Sequence, residues 1–242
     1  PRLMADVYDS GFPYAHDTYN GMLAASNGKI YYVLSAEPYD VAGQMYSFDP
    51  ATKQVQHLGD LTEACGEKGM KAVAQGKIHC NFVEHQGKLY FATHTGFYAI
   101  IDGMEKMGPP PPGWKPYPGG HFLAYDLATG KFDDLAIAPG GEGIITMNMD
   151  TRRGRLYGIT WPTGHFLRFD LARKEMKDLG PTSLDGENGK GPRYRTICRA
   201  LAIDPEDGSV YGSNGDGDIL RYRYDRDALE TVAGENLRKD YF

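Results

Sequence analysis

The chain has 242 residues, of which 41% are hydrophobic and 12% aromatic, enough to build a core and too apolar for a disordered segment. A formal net charge of −6 disfavours nucleic acid as a partner, and no apolar run reaches the roughly 18 residues that would cross a membrane. The opening Pro1-Arg2-Leu3-Met4-Ala5 does not read as a signal peptide but as a processed or trimmed start.

Taken in order, the chain spells one short phrase four times: Gly28-Lys29-Ile30-Tyr31, Gly87-Lys88-Leu89-Tyr90, Gly154-Arg155-Leu156-Tyr157 and Gly208-Ser209-Val210-Tyr211. An apolar strand follows each copy, ending in Phe48-Asp49, Tyr125-Asp126, Phe169-Asp170 and Tyr222. In the first repeat the alternation of apolar and polar residues predicts strands at about 20–25, 29–35, 44–49 and 54–59. Turn sequences such as Asp49-Pro50-Ala51-Thr52-Lys53 separate the last two strands, because Asp and Thr accept local backbone hydrogen bonds.

Repeats of four antiparallel strands at this spacing predict an all-β fold, a β-propeller in a single domain over 1–242. Its blades fall at about 20–61, 77–138, 143–181 and 195–233. A β-sandwich has no reason to repeat its sequence. Either the first nineteen residues supply a closing strand, or the tail ending Asp240-Tyr241-Phe242 stops where another repeat of a larger ring, about seven blades, would begin. The insertion from Asp102 to Gly120 carries Pro109-Pro110-Pro111-Pro112-Gly113-Trp114, a stiff polyproline run that serves as a surface loop or as the wall of a cleft.

Propeller geometry lines the central channel with each blade's first strand and sets the start of that strand beside the end of the second. His79, in Lys77-Ile78-His79-Cys80-Asn81, and His94, closing Tyr90-Phe91-Ala92-Thr93-His94, should therefore meet at the channel mouth as candidate proton carriers. His121 is placed to join them, which would offer a three-histidine site for zinc or calcium, although nothing in the sequence requires a cofactor. Asn81, Asn148, Trp161, His165, Arg193 and Arg195 gather at the same face as candidate substrate-binding residues, with Arg199 further along the strand; Trp suits a sugar face and Arg a carboxylate. Cys65, Cys80 and Cys198 show no C-x-x-C pattern, Cys80 and Cys198 reading as buried thiols. There is no G-x-S-x-G elbow, P-loop or dinucleotide fingerprint, and Asn214-Gly215-Asp216-Gly217-Asp218 lacks the glutamate of a calcium loop.

The phrases Gln75-Gly76-Lys77-Ile78-His79, Gly87-Lys88-Leu89-Tyr90-Phe91-Ala92-Thr93-His94 and Tyr157-Gly158-Ile159-Thr160-Trp161-Pro162 resemble those of the seven-bladed propeller polysaccharide lyases that cleave ulvan, and of their relatives. The resemblance implies β-elimination at a 4-linked uronate, with histidine and tyrosine moving protons and arginine near the carboxylate. By it His79 and His94 match the paired histidines, the partner is an acidic polysaccharide or oligosaccharide, and the location is secreted or periplasmic. Blade three departs from the pattern, with Met147-Asn148-Met149 in place of a tyrosine and His165 in place of an arginine. Two other classes are open: a non-catalytic propeller that binds a ligand or completes its ring with a second chain or copy, and a metal-dependent hydrolase or isomerase using the three histidines.

Overall fold

The computed structural model describes residues 4–240, so Pro1-Arg2-Leu3 of the opening and Tyr241-Phe242 of the tail lie outside the described residues. Its first sheet contains β1 (Met22–Ala24), β2 (Ile30–Leu34), β3 (Gln44–Asp49) and β4 (Gln54–Asp60), followed by one helical turn, α1 (Leu61–Ala64). The second contains β5 (Val83–His85) and β6 (Lys88–Ala92); then comes an inserted hairpin, β7 (Tyr98–Ile101) and β8 (Met104–Met107), before β9 (His121–Asp126) and β10 (Phe132–Ile137) complete the sheet. The third is β11 (Gly143–Asp150), β12 (Arg155–Trp161), β13 (His165–Asp170) and β14 (Glu175–Pro181). The fourth is β15 (Ala202–Ile203), β16 (Val210–Ser213), β17 (Asp218–Arg223) and β18 (Ala228–Asn236). Each sheet is an antiparallel meander of four strands, and the four are the blades of a β-propeller.

The repeated sequence phrase has a backbone cause. Gly28, Gly87, Gly154 and Gly208 all sit at φ between +63° and +80° in the turn between the first and second strands, a conformation a Cβ disfavours. The aspartates ending the third strands act as turn acceptors. Asp49 Oδ1 takes the N–H groups of Ala51 and Thr52, Asp126 those of Ala128 and Thr129, and Asp170 those of Ala172 and Arg173. The fourth blade has Arg223 at this place but keeps a left-handed residue just before its outer strand, Asp227 at φ +47°, as the first and third blades do with Lys53 and Lys174.

The core lies between successive blades. One cluster joins Val33, Met45, Leu89, Phe91, Phe122, Ile144 and Leu167, and a second joins Tyr157, Ile159, Phe166, Leu201 and Tyr222 across the third and fourth blades. Near the axis the blades are stitched by hydrogen bonds, from Ala36 N to Gly76 O (2.8 Å), from Ile144 N to Thr93 O (3.1 Å) and from the Asn148 amide to Leu201 O (2.7 Å). The residues from 4 to 19 supply no closing strand; they form turns and coil tied to the end of β2 through His16 N to Ser35 O and Ser35 N to Asp17 O. That segment delivers Tyr19 to the site instead. The proline-rich loop is anchored rather than free. Lys115 exchanges backbone hydrogen bonds with Lys71 and Val73, and Trp114 packs edge-on against Tyr39 with ring centroids 5.0 Å apart.

At the rim, Asp227 ties the third and fourth blades together. It receives two hydrogen bonds from the buried Arg168 guanidinium, one from the Lys177 ammonium and one from the Tyr222 hydroxyl. Replacing Asp227 by alanine leaves the buried Arg168 charge with only the exposed Glu175, 3.9 Å away, and chemical denaturation should show a loss on the order of 3 kcal/mol. A variant as stable as the parent would show that this tie is unimportant.

Candidate functional site

The site begins with one antiparallel bridge. Lys77 N donates to His94 O (3.0 Å) and His94 N to Lys77 O (2.8 Å), so the two residues face each other directly. Side chains opposite one another in an antiparallel pair lie on one face, and the residue two positions on shares it. Lys77, His79 and His94 therefore project together, while the intervening Ile78 goes into the core. The His79 and His94 rings stand edge to face with centroids 5.6 Å apart.

Around them stand residues that the sequence did not single out. Tyr19 stacks on His79 at 4.2 Å, and its hydroxyl lies 3.4 Å from Lys77 Nζ. Tyr98, at the start of the inserted hairpin, meets His94 at 6.1 Å and places its ring 4.7 Å from Lys77 Nζ. Glu187, in the loop after β14, accepts hydrogen bonds from Trp161 Nε1 (2.9 Å), from Ile197 N (3.0 Å) and from Arg199 (3.0 Å). Lys77 was open to discovery by alternation alone, since it lies two residues before His79. Tyr19, Tyr98 and Glu187 come from loops and an insertion, with no periodic signal pointing to them.

A cavity of about 300 Å³ opens at the inner ends of all four blades. Asn20, His79, Asn81, Asn148 and Arg199 line it. On the far side of Tyr98 lies a cleft of about 650 Å³ walled by Tyr14, Tyr39, Phe97 and Tyr98, with Glu37 and Glu105 at its edge.

The structure thus brings His79, His94, Asn81 and Asn148 to the central region and sends other candidates elsewhere. His121 does not join the histidine pair. Its ring turns to the outer strands, with Nδ1 2.8 Å from Asp134 and Nε2 3.0 Å from Glu67, so a site formed by His79, His94 and His121 is not assembled; among the described residues no group of three His, Cys, Asp or Glu side chains converges to hold a metal. Trp161 is at the centre but cannot offer a face to a sugar, being 3% exposed behind His94 and Tyr98 with its indole N–H spent on Glu187. His165 is bound to Asp178 at the outer strand pair, Arg193 is ion-paired with Asp185, and Arg195 pairs with Asp216 at 2.6 Å. The arginine that lines the cavity is Arg199.

The electrostatics follow from burial and two neighbouring cations. Burial, with the charges of Lys77 and Arg199, lowers His79 to about 4, so its imidazole is neutral at physiological pH. His94 is pushed well below its usual value by burial and then by His79 and Lys77, and neither ring nitrogen has a hydrogen-bond partner among the described residues. Gly143 makes room for it, because a Cβ there would lie 1.8 Å from His94 Nδ1. Lys77 is lowered by burial and partly restored by Asp17, Glu37 and Glu105.

No protein-family model matches the chain, and no curated protein matches it in sequence. Solved structures do resemble it. The Dos1 propeller superposes with a TM-score of 0.52 at 10% identity, covering 86% of this chain and 42% of that one. An auxiliary nutrient binding protein from Bacteroides thetaiotaomicron (TM-score 0.49, 12% identity) covers 93% of this chain and 44% of its own, and TolB from Acinetobacter baumannii (0.47, 12%) covers 90% and 44%. The chain therefore spans less than half the length of each. At such identities the likeness to the Dos1 propeller bears on the fold alone, and it agrees with the four meandering blades.

Away from the cavity, His121 makes a prediction with a definite sign. Burial alone would lower it, but hydrogen bonds to Asp134, Cys65 and Glu67 outweigh burial and raise it to about 11. A group raised in the folded state contributes stability that is complete below its unfolded value near 6.5 and disappears as the pH climbs through about 11. Replacing His121 by glutamine should cost about 3 kcal/mol at pH 7 and flatten the stability profile between pH 7 and 10 in denaturant titrations. Parallel profiles for the two proteins would contradict this.

Proposed function

We propose that this propeller acts on an acidic, uronate-containing polysaccharide as a lyase, cleaving by β-elimination. The supporting observation is a neutral imidazole, His79, on the wall of a cavity that also carries Arg199. In this reaction a base removes the C5 proton, the C5–C4 arrangement collapses to a double bond, and the 4-linked oxygen departs with a proton from an acid. The C5 proton is weakly acidic until the adjacent carboxylate is neutralised, and Arg199 supplies positive charge beside the cavity for that purpose. His79 is the side chain that meets substrate. His94, 1% exposed behind it, acts through His79 by packing against its ring and holding its orientation. The aromatic cleft beside Tyr98 serves neighbouring sugar residues, a place Trp161 cannot fill. The reading needs no cofactor, and it fits a secreted or periplasmic protein.

The enclosure of His94 favours a second reading, a propeller that binds an acidic saccharide without turning it over. One experiment separates the two. Ulvan, alginate, pectate and glycosaminoglycans are each incubated with the parent and with His79→Ala, and the ultraviolet absorbance of the unsaturated product is followed. The lyase reading expects turnover with at least one polymer and a loss of about 10²–10⁴-fold in the variant. Saccharide binding by both proteins with turnover by neither would establish the binding module, and absence of both turnover and binding across these polymers would remove both readings.

A further inference from the structure

Lys77 is fully buried, yet among the described residues no carboxylate lies within ion-pair distance of its ammonium. A buried lysine is ordinarily paired, because taking its charge out of water without a partner is costly. Here Nζ meets the Tyr19 hydroxyl at 3.4 Å and the faces of Tyr19 and Tyr98 at 4.6 and 4.7 Å. Aromatic faces attract a cation but do not neutralise it. The nearest acids, Asp17 on the N-terminal segment, Glu37 after β2 and Glu105 on β8, act on it only through space.

The two tyrosines differ in how they are held. Tyr98 is fixed by its hairpin and donates its hydroxyl to Thr95 O at 3.1 Å. Tyr19 sits on a turn, 50% exposed, with φ at +44°, a left-handed conformation that a residue with a Cβ disfavours. Its ring lies flat against His79 and directly over Lys77. A pyranose is close to a phenol ring in breadth. A sugar in Tyr19's place would rest on the His79 ring, and an anionic substituent on it would reach Lys77 Nζ.

We propose that Lys77 is the residue that directly receives the carboxylate of a uronate ring, with the Glu187-paired Arg199 adding positive charge from the cavity wall, and that the Tyr19 side chain is the cover displaced when the sugar enters. The proposal rests on the uronate reading above and goes further by naming the cation that the ligand's own charge completes. Lys77 then serves as the missing half of an ion pair, which accounts for a buried ammonium that the protein itself leaves without a counter-charge.

The test does not depend on turnover. Acetylation by an N-hydroxysuccinimide ester is followed at Lys77 by peptide mass spectrometry, with the exposed Lys190 as internal reference, in the parent and in Tyr19→Ala. Removing the cover should speed modification of Lys77 at least about tenfold, since reaction of a covered amine waits on local opening. Glucuronate should slow it at least about fivefold in Tyr19→Ala while methyl glucoside leaves it unchanged. Lys77→Met keeps the length and removes the charge; with circular dichroism confirming its fold, it should bind uronate oligosaccharides at least about tenfold more weakly by calorimetry. Unchanged reactivity in Tyr19→Ala, or no protection by glucuronate, overturns the proposal. Protection without elimination by any form of the protein would sink the lyase reading and leave Lys77 standing; elimination without protection would do the reverse.

Discussion

The pair of reciprocal hydrogen bonds between Lys77 and His94 is the constraint from which the site follows. It fixes register between the innermost segment of the second blade and the end of its second strand, and a slip of one residue would turn Lys77 and His79 toward the core and Ile78 toward the opening. The placement of Lys77, His79 and His94 depends on that register. The hairpin β7–β8 adds Tyr98 from one side and the N-terminal segment adds Tyr19 from the other, so the lysine and both histidines are enclosed by aromatic rings.

Such an enclosure opposes stability. An ammonium without a carboxylate and an imidazole without a hydrogen-bond partner each cost free energy on burial, by about 1–3 kcal/mol for the neutral group. The blades offset this with packing on both sides, since Phe91, Phe122, Ile144 and Leu167 form a continuous core immediately behind the cluster. The polar network around His121 shows the opposite arrangement. There an imidazole lies between two carboxylates and is held protonated, which suits a strut rather than a proton carrier. Two buried histidines in one blade thus differ in charge, His94 neutral because burial and the cations near it disfavour protonation, His121 protonated because its hydrogen-bond partners outweigh burial.

Most of the architecture was legible in the sequence because its cause is local. The glycine at positive φ recurs in all four blades and the aspartate that accepts turn amides in three, so counting the glycines counts the blades. The meeting of His79 and His94 was legible too, since it needs only the antiparallel order of two adjacent strands. What could not be read were partners brought by irregular chain. Arg193 pairs with Asp185 and Arg195 with Asp216 of the β16–β17 turn, whereas Arg199, a few residues on and paired with Glu187, lines the cavity; nothing in spacing separates these three. Trp161 was rightly placed at the centre, but its exposure depended on the hairpin that covers it. His121 begins β9, the strand paired with β6, and only the direction of its ring decides that it faces outward.

His79 and His94 share one enclosed setting with a buried cation, Lys77. Titration of the imidazole resonances by nuclear magnetic resonance tests it most directly, residue by residue against His79→Ala and Lys77→Met. His79 should titrate at about 4, His94 should stay neutral while the protein remains folded, and removing the Lys77 charge should move His79 upward. Two imidazoles that titrate independently near 6.5, indifferent to Lys77, would contradict it.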